Sequence, residues 1–572
     1  MPADGGEARR LTYMPEDDLV VGWTPDGKSV LFNSHRDEEG VVRLWKMALD
    51  GVTAEALPLP QGYTGSYSPD GARIAYQPMG FAGEYRFYRG GMLSPVWIAN
   101  LSTGALEKLP HGNYNNRQPM WAGDRIYFVS DRTGIFNLYS YDLAGRQTRQ
   151  LTNFERFGIR WAGAGGDAVA FVQEGRLHLH DMRTGQTRPL EVRVSPDTSE
   201  WKERKVNAAR TIESATLSHD GRQVVFGARG EALTLDAGGG ATRNLTETSG
   251  VAERYPTLSP DGRSVAYLSD ESGEYQLHVR PAAGGEARKI NVEAKPSFYR
   301  ELNWSPDSKR VAFIDRRLGL WVADVERGTA ARADVSRYTW QEEYFPSWSP
   351  DGRWLVYSKY VMPNRERAVF VYDTREGRAR QITDGRTHAE SPVFDANGKY
   401  IYFFSSPNAG TSEYGWGVLS GMFARPLVTR RLHAFVLRAD APAPLFPNAQ
   451  PNPEAKLSEP ASEVRIDFEE LGERVVDLPQ PPRDYERIVS GKPGVLHVLV
   501  SEWPKSPAFT NPSSTLYRYD LSKPNAFEKL VEEVNGFELS GDGERLLYAK
   551  GRGDWFLVSA DSAPKPDEGK LD

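Results

Sequence analysis

Few residues in this chain are spaced in a way that could do chemistry. Gly22-Trp-Thr-Pro-Asp-Gly27-Lys28-Ser29 fits, letter for letter, the glycine-rich loop that cradles phosphate. Such a loop must open a helix whose first amides face the anion. Here Val30-Leu-Phe32 continues as strand and Pro25 removes a donor, so a hairpin turn is expected instead. His178 and His180, two apart on a strand, would share one face, as a pair of metal ligands can. No third ligand stands near them among the 9 scattered histidines, so an ordinary strand pair is expected and no metal or cofactor is assigned. The chain has no Gly-x-Ser-x-Gly elbow and no His-Glu-x-x-His helix, and therefore no placeable hydrolytic nucleophile or zinc-peptidase centre. The remaining candidate is Arg89 in Tyr88-Arg-Gly-Gly91, which follows an aromatic, glycine-bearing insert at 81–87. A guanidinium grips a carboxylate with two parallel hydrogen bonds, which makes Arg89 the candidate peptide-binding residue; bonding to local carbonyls is the alternative.

The elements that must hold these residues are read from a repeat. Pro346-Ser-Trp-Ser-Pro-Asp-Gly-Arg-Trp-Leu-Val-Tyr-Ser-Lys359 reads as strand, tight turn and strand. Pro350 pre-sets φ at the turn's second position, Asp351 bonds its own backbone, and Gly352 takes the left-handed conformation that follows. Trp354-Leu-Val-Tyr357 is apolar on both faces, which suits a strand sandwiched between two sheets. Copies stand at Trp23-Thr-Pro-Asp-Gly27, Tyr67-Ser-Pro-Asp-Gly71, Leu217-Ser-His-Asp-Gly221, Leu258-Ser-Pro-Asp-Gly262, Trp304-Ser-Pro-Asp-Ser308 and Phe394-Asp-Ala-Asn-Gly398, with weaker ones from Trp121, Trp161 and Leu539. A second strand pair, typified by Leu320-Trp-Val-Ala-Asp324 and Phe370-Val-Tyr-Asp373, lies between copies. Four strands per period, at a spacing of roughly 40 to 55 residues, mark β-propeller blades. The regularly placed aspartates are expected as turn formers rather than catalytic carboxylates.

Units are expected to begin near Asp18, Gly62, Asn116 and Phe157, then near Glu213, Glu253, Tyr299, Glu343 and Glu390, with two less regular ones around 495–520 and 537–558. The count is about four units and then about seven. The fold class is therefore all-β, two β-propellers in series. The first occupies 1–192, a passage with the charged Trp201-Lys-Glu-Arg-Lys205 occupies 193–212, and a seven-bladed propeller occupies 213–562. A long insertion at 406–482, rich in Gly at 410–421 and acidic at 463–477, is expected to be a solvated loop with one strand. Residues 563–572 have a linker's composition. Pro2-Ala-Asp-Gly-Gly-Glu-Ala-Arg-Arg-Leu11 echoes Pro281-Ala-Ala-Gly-Gly-Glu-Ala-Arg-Lys-Ile290, which closes a unit. The chain is thus expected to begin inside a blade, with about two more blades upstream, since four rarely close a ring.

Across 572 residues the net charge is −7 and no cysteine occurs. Nucleic acid is excluded as the main partner, because phosphate binding needs a basic field. No apolar run is long enough to span a bilayer as a helix. Without cysteine there is no disulfide framework and no thiolate metal site, so stability must come from sheet-on-sheet burial. The same lack fits a reducing, cytoplasmic compartment.

Two propellers in series, Val464-Arg-Ile-Asp-Phe468 leading to Arg474-Val-Val-Asp-Leu-Pro479 and Asp484-Tyr485, Tyr88-Arg-Gly-Gly91 before Val96-Trp-Ile98, and Arg125-Ile-Tyr-Phe128 before Asn137-Leu-Tyr-Ser140 together resemble the tricorn protease family. The resemblance covers nearly the whole chain. It implies a six-bladed first propeller, a seven-bladed second one and, further along the same polypeptide, a PDZ-like domain and a serine-peptidase core of the S41 type. The family's catalytic serine, histidine and glutamate would then fall beyond Asp572, so no catalytic residue is assigned and the chain is expected to be inactive alone. The implied role is that of a size filter, with peptides entering through the second propeller and products leaving through the first. The implied partners are peptide substrates and the remaining domains, with room for a homo-oligomer. The family's basic pair for a peptide carboxylate would fall just before Trp23, where Pro15-Glu-Asp-Asp-Leu19 is acidic instead. Similar turns in TolB-like and prolyl-oligopeptidase propellers keep two alternatives open, a protein-binding scaffold and the propeller cap of a prolyl-oligopeptidase-type enzyme.

Overall fold

The computed structural model describes residues 9–36, 41–79, 88–110, 112–193, 206–293, 297–337, 344, 346–363, 366–406, 430–459, 461, 463–502, 513–551 and 553–571. The stretches 2–8, 81–87, 201–205 and 410–421, and Glu343, all read above, lie outside the described residues. Apart from short 3-10 turns at Ala209–Thr211, Pro453–Ala455 and Leu471–Arg474, the described residues form strands and loops. Antiparallel hairpins build eleven sheets, numbered here in chain order. Ten are four-stranded meanders and the last has three strands. The chain divides into two compact units, Met1–Glu203 and Arg204–Asp572. Sheets 1 to 4, at 18–56, 64–108, 116–150 and 159–189, belong to the first. Sheets 5 to 11, at 212–244, 253–290, 299–335, 347–381, 388–477, 485–531 and 536–559, belong to the second.

The hairpins form because the repeated turn satisfies its own polar groups. At Ser68-Pro-Asp-Gly71 the Ser68 hydroxyl donates to Asp70 Oδ1 at 2.5 Å, which also accepts the Ala72 N–H at 3.1 Å. Ser68 Oγ accepts the Arg73 N–H at 2.9 Å, and Gly71, at φ +71°, donates to Ser68 O. The serine–aspartate bond recurs at Ser218–Asp220, Ser259–Asp261, Ser305–Asp307, Ser349–Asp351 and Ser540–Asp542. These carboxylates hold turns, as the regular spacing implied.

Within each unit the first strand of most sheets lies beside the first strand of the next, as the inner strands of a propeller do. Most of these inner strands are bulged, as at Ile212–Ser214, Arg254–Thr257, Arg300–Asn303 and Glu390–Val393. The bulges hold Gln118, Tyr255, Glu301 and Ser391 at positive φ. They also carry hydrogen bonds from blade to blade. Thr216 donates to Pro256 O at 3.2 Å, Asn303 to Pro346 O at 2.7 Å, and Ser391 to Glu486 O at 3.3 Å.

Each middle sheet is buried on both faces. In sheet 3, Ile126, Phe128 and Tyr139 meet Ala75 and Ile98 of sheet 2, while Tyr127, Val129 and Leu138 meet Ile159, Val169 and Phe171 of sheet 4. In the second unit the first and last sheets also pack together. Val224, Phe226 and Leu235 of sheet 5 meet Leu547 and Leu557 of sheet 11, and Asp542 N–H donates to His219 O at 3.1 Å. That seam closes seven sheets into a ring.

Two stretches differ from expectation. The 406–482 insertion supplies two strands of sheet 9, Arg431–Val436 and Val475–Asp477, rather than one. Between them Val464 and Ile466, expected in a solvated stretch, are instead buried with Trp354 and Val356 of sheet 8 and Phe394 and Ile401 of sheet 9. Trp354 Nε1 donates to Val464 O at 2.9 Å, and Val464 N–H to Asp351 Oδ2 at 2.9 Å. The apolar side chains of this acidic run find a core, and the charged ones face out. The linker-like tail also folds back. Leu557 N–H donates to Gly569 O and Leu571 N–H to Trp555 O, because the last strand of sheet 11 would otherwise expose an unpaired edge.

Candidate functional site

Three of the sequence candidates sit in ordinary structural surroundings. At the phosphate-loop look-alike, Asp26 Oδ1 accepts from Thr24 Oγ1 at 2.6 Å and from Lys28 N–H at 3.0 Å, Gly27 has φ +67°, and the strand Ser29–Ser34 follows without a helix. His178 stacks on Phe171 with ring centroids 5.4 Å apart. His180 Nδ1 lies 2.9 Å from Thr187 Oγ1, and burial draws its imidazole below the ordinary range. Among the described residues no group of three or more His, Cys, Asp or Glu is placed to hold a metal ion.

Arg89 lies where the loop between the second and third strands of sheet 2 meets sheet 3. Its Nη1 donates to Tyr88 O at 2.8 Å and to Asp131 Oδ2 at 2.9 Å. Asp131 is fully buried and also accepts the Asn115 N–H at 2.9 Å and Asn115 Nδ2 at 3.1 Å. The Arg89 guanidinium faces the ring of Tyr114 at 5.4 Å, and Arg132 approaches the same ring at 5.9 Å. Arg89 thus bonds a local carbonyl, as the alternative reading expected, and the carboxylate it grips is one of its own chain. Arg132 went unremarked in the sequence. Its signal was the Ser130-Asp-Arg132 run that ends the second strand of sheet 3.

A second charged cluster was also missed. Arg430 donates to Glu390 through Nε and to Asp484 through Nη1, with all three side chains nearly buried. His388, fully buried, lies 3.1 Å from Glu366 Oε2 and 3.5 Å from Glu390 Oε2, and Arg367 Nη1 is 3.9 Å from Glu390. Burial alone would raise the Glu390 carboxyl, but His388, Arg430 and Arg367 hold it down to about 2. These residues come from four separate stretches of sequence, at 366–367, 388–390, 430 and 484, and no motif joins them.

Sheets in four-stranded meanders, inner strand beside inner strand, in two successive units, define a tandem β-propeller. Residues 1–186 match the family model of the tricorn protease N-terminal beta propeller domain, and residues 212–559 that of the tricorn protease second beta propeller domain. The chain belongs to the tricorn protease family. It is 31% identical over 595 residues to tricorn protease homolog 1 of Streptomyces coelicolor, covering 99% of this chain and 54% of that protein. Tricorn protease of Thermoplasma acidophilum is 22% identical, covering 96% of this chain and 51% of its own length. The crystal structure of the tricorn protease superposes over the whole chain with a TM-score of 0.64, at 20% identity and over 55% of that chain, which shows the shared fold. The chain thus spans about half the length of the curated relatives it matches. Among the described residues no helix is long and apolar enough to cross a membrane.

Proposed function

We propose that this chain is the non-catalytic propeller region of a tricorn-like serine peptidase that processes oligopeptides. In this reading the seven-sheet ring admits extended peptides along its axis, the first propeller is the exit path for products, and Arg89 is a peptide contact on that path. The observation that carries it is the pair of family matches, one on each propeller unit, and the reading is supported by the packing of the first sheet of the second unit on its last. A ring walled by backbone edges passes an extended chain and turns away a folded domain, so selection is by size. For Arg89, support comes from its partial exposure and from Nε and Nη2, which have no partner among the described residues.

The test is to fuse this chain to the catalytic half of a tricorn protease relative and compare hydrolysis of short peptides with that of a folded protein containing the same cleavable segment. Short peptides are expected to be cut and the folded protein spared. Equal rates would remove the filter.

A further inference from the structure

Sheets 1 and 3 carry the same arginine on the same scaffold, with one difference. In sheet 1, Asp18 opens the inner strand opposite Ser34. Arg36, two residues past Ser34, lies over Phe32 at 4.7 Å and Trp45 at 5.4 Å, and its Nη2 donates to Asp18 Oδ2 at 2.6 Å. In sheet 3, Asn116 opens the inner strand opposite Ser130. Arg132, two residues past Ser130, lies over Phe128 at 5.5 Å and Tyr139 at 4.7 Å, and its Nη2 donates to Asn116 Oδ1 at 3.3 Å. A neutral amide thus stands where sheet 1 has the counter-charge.

The neighbouring carboxylate does not replace it, because Asp131 is bonded by Arg89 and Asn115. Arg132 has no ion-pair partner among the described residues; its side-chain bonds go to Ser130 Oγ and Asn116 Oδ1, both neutral. Burial draws its guanidinium below the usual arginine range, the mark of a charge poorly served by solvent. Asn116 is fully buried, and its Nδ2 has no hydrogen-bond partner among the described residues. Tyr114, about a third exposed, separates Arg132 from Arg89.

We propose that Arg132 and Asn116, with Arg89 across Tyr114, form a binding site for a carboxylate group. The ligand supplies to Arg132 the counter-charge that Asp18 supplies to Arg36 in sheet 1, since Asn116 fills the equivalent position without a charge. A guanidinium bonded only to neutral oxygens suits a planar monoanion, which accepts hydrogen bonds from its remaining N–H groups, while the aromatic rings limit competing water. The proposal rests on the peptide reading above only for the source of the carboxylate, which is either a peptide C-terminus or an Asp or Glu side chain.

The experiment measures binding of dye-labelled alanine-rich peptides to the whole chain by fluorescence anisotropy. One peptide has a free C-terminus and no acidic residue, a second has an amidated C-terminus and one internal Glu, and a third is amidated with no acid. At least one of the first two is expected to bind about tenfold or more tightly than the third, and which one identifies the source. Arg132→Gln should abolish the difference. Asn116→Asp should abolish it as well, by supplying from within the carboxylate that sheet 1 already accommodates; an unchanged thermal melt shows that this variant is folded. Equal binding of all three peptides, or a difference that survives Asn116→Asp, overturns the site. Failure of the size filter would appear in the cleavage comparison and leave this difference untouched.

Discussion

The two propeller units are built from the same hairpin and differ in how their end sheets are covered. In the second unit sheet 5 and sheet 11 bury Leu547, fully, and Phe226, to 6% exposure, against one another. A Cβ on Gly541 would run into the imidazole of His219, so the turns at that seam lie close enough for a methyl group to push that side chain aside. In the first unit the outer face of sheet 4 leaves Trp161 63% and Leu177 40% exposed. Identical local chemistry is therefore expected to yield different stability, because blade-on-blade burial rather than turn formation supplies most of the free energy.

The largest test of that contrast concerns buried charge. Arg430→Ala leaves Glu390 and Asp484 buried without their main cation and should cost the second unit about 3–5 kcal/mol. Lys46→Ala, which removes an exposed partner of Glu55 in the first unit, should cost about 1 kcal/mol or less. Denaturant midpoints of the two transitions measure both, and similar costs would break the contrast.

Next comes the seam. Leu547→Ala should destabilise the second unit by about 3 kcal/mol, whereas Trp161→Ala should move the first by about 0.5 kcal/mol or less. A Trp161 variant as costly as the seam variant would mean that the exposed face of sheet 4 is covered in solution.

A pH effect of intermediate size should belong to the second unit. Burial holds the His497 imidazole at about 4, against an ordinary 6.5, while its Nε2 lies 2.9 Å from Ala560 O. The unfolded chain takes up this proton near 6.5 and the fold only near 4. Stability from this group is therefore complete above pH 6.5 and declines as pH falls toward 4, by about 3 kcal/mol at most. Asp395, pushed up to about 6 by burial, slopes the opposite way, so the wild-type minus His497→Gln difference isolates the imidazole. A difference that is flat between pH 7 and 4.5 would show that His497 is not held neutral by the fold.

The smallest effect sharpens the comparison without any substitution. Scanning calorimetry should show two transitions, the lower one shifting with first-unit variants alone; a single cooperative transition would contradict independent units.

Much of the fold was legible because its signal is local. Expected unit starts at Gly62, Phe157, Glu213 and Glu390 fall within two residues of the strands that begin at Thr64, Ile159, Ile212 and His388. A Ser-Pro-Asp-Gly turn announces itself in four letters. The burial of Val464 and Ile466 and the docking of Gly569 to Leu571 were not legible, since each depends on a partner surface distant in sequence. The candidate sites divide the same way. Arg89 could be singled out from its glycine-rich context, whereas Arg132 gains meaning only beside Arg36, when Asn116 is seen to occupy the place of Asp18.

Each Ser-x-Asp-Gly turn completes its hydrogen bonds within six residues, as from Ser68 to Arg73. A hairpin whose corner closes on its own residues is a portable cassette. Its coding stretch can be copied or deleted in frame and still yield a well-made corner.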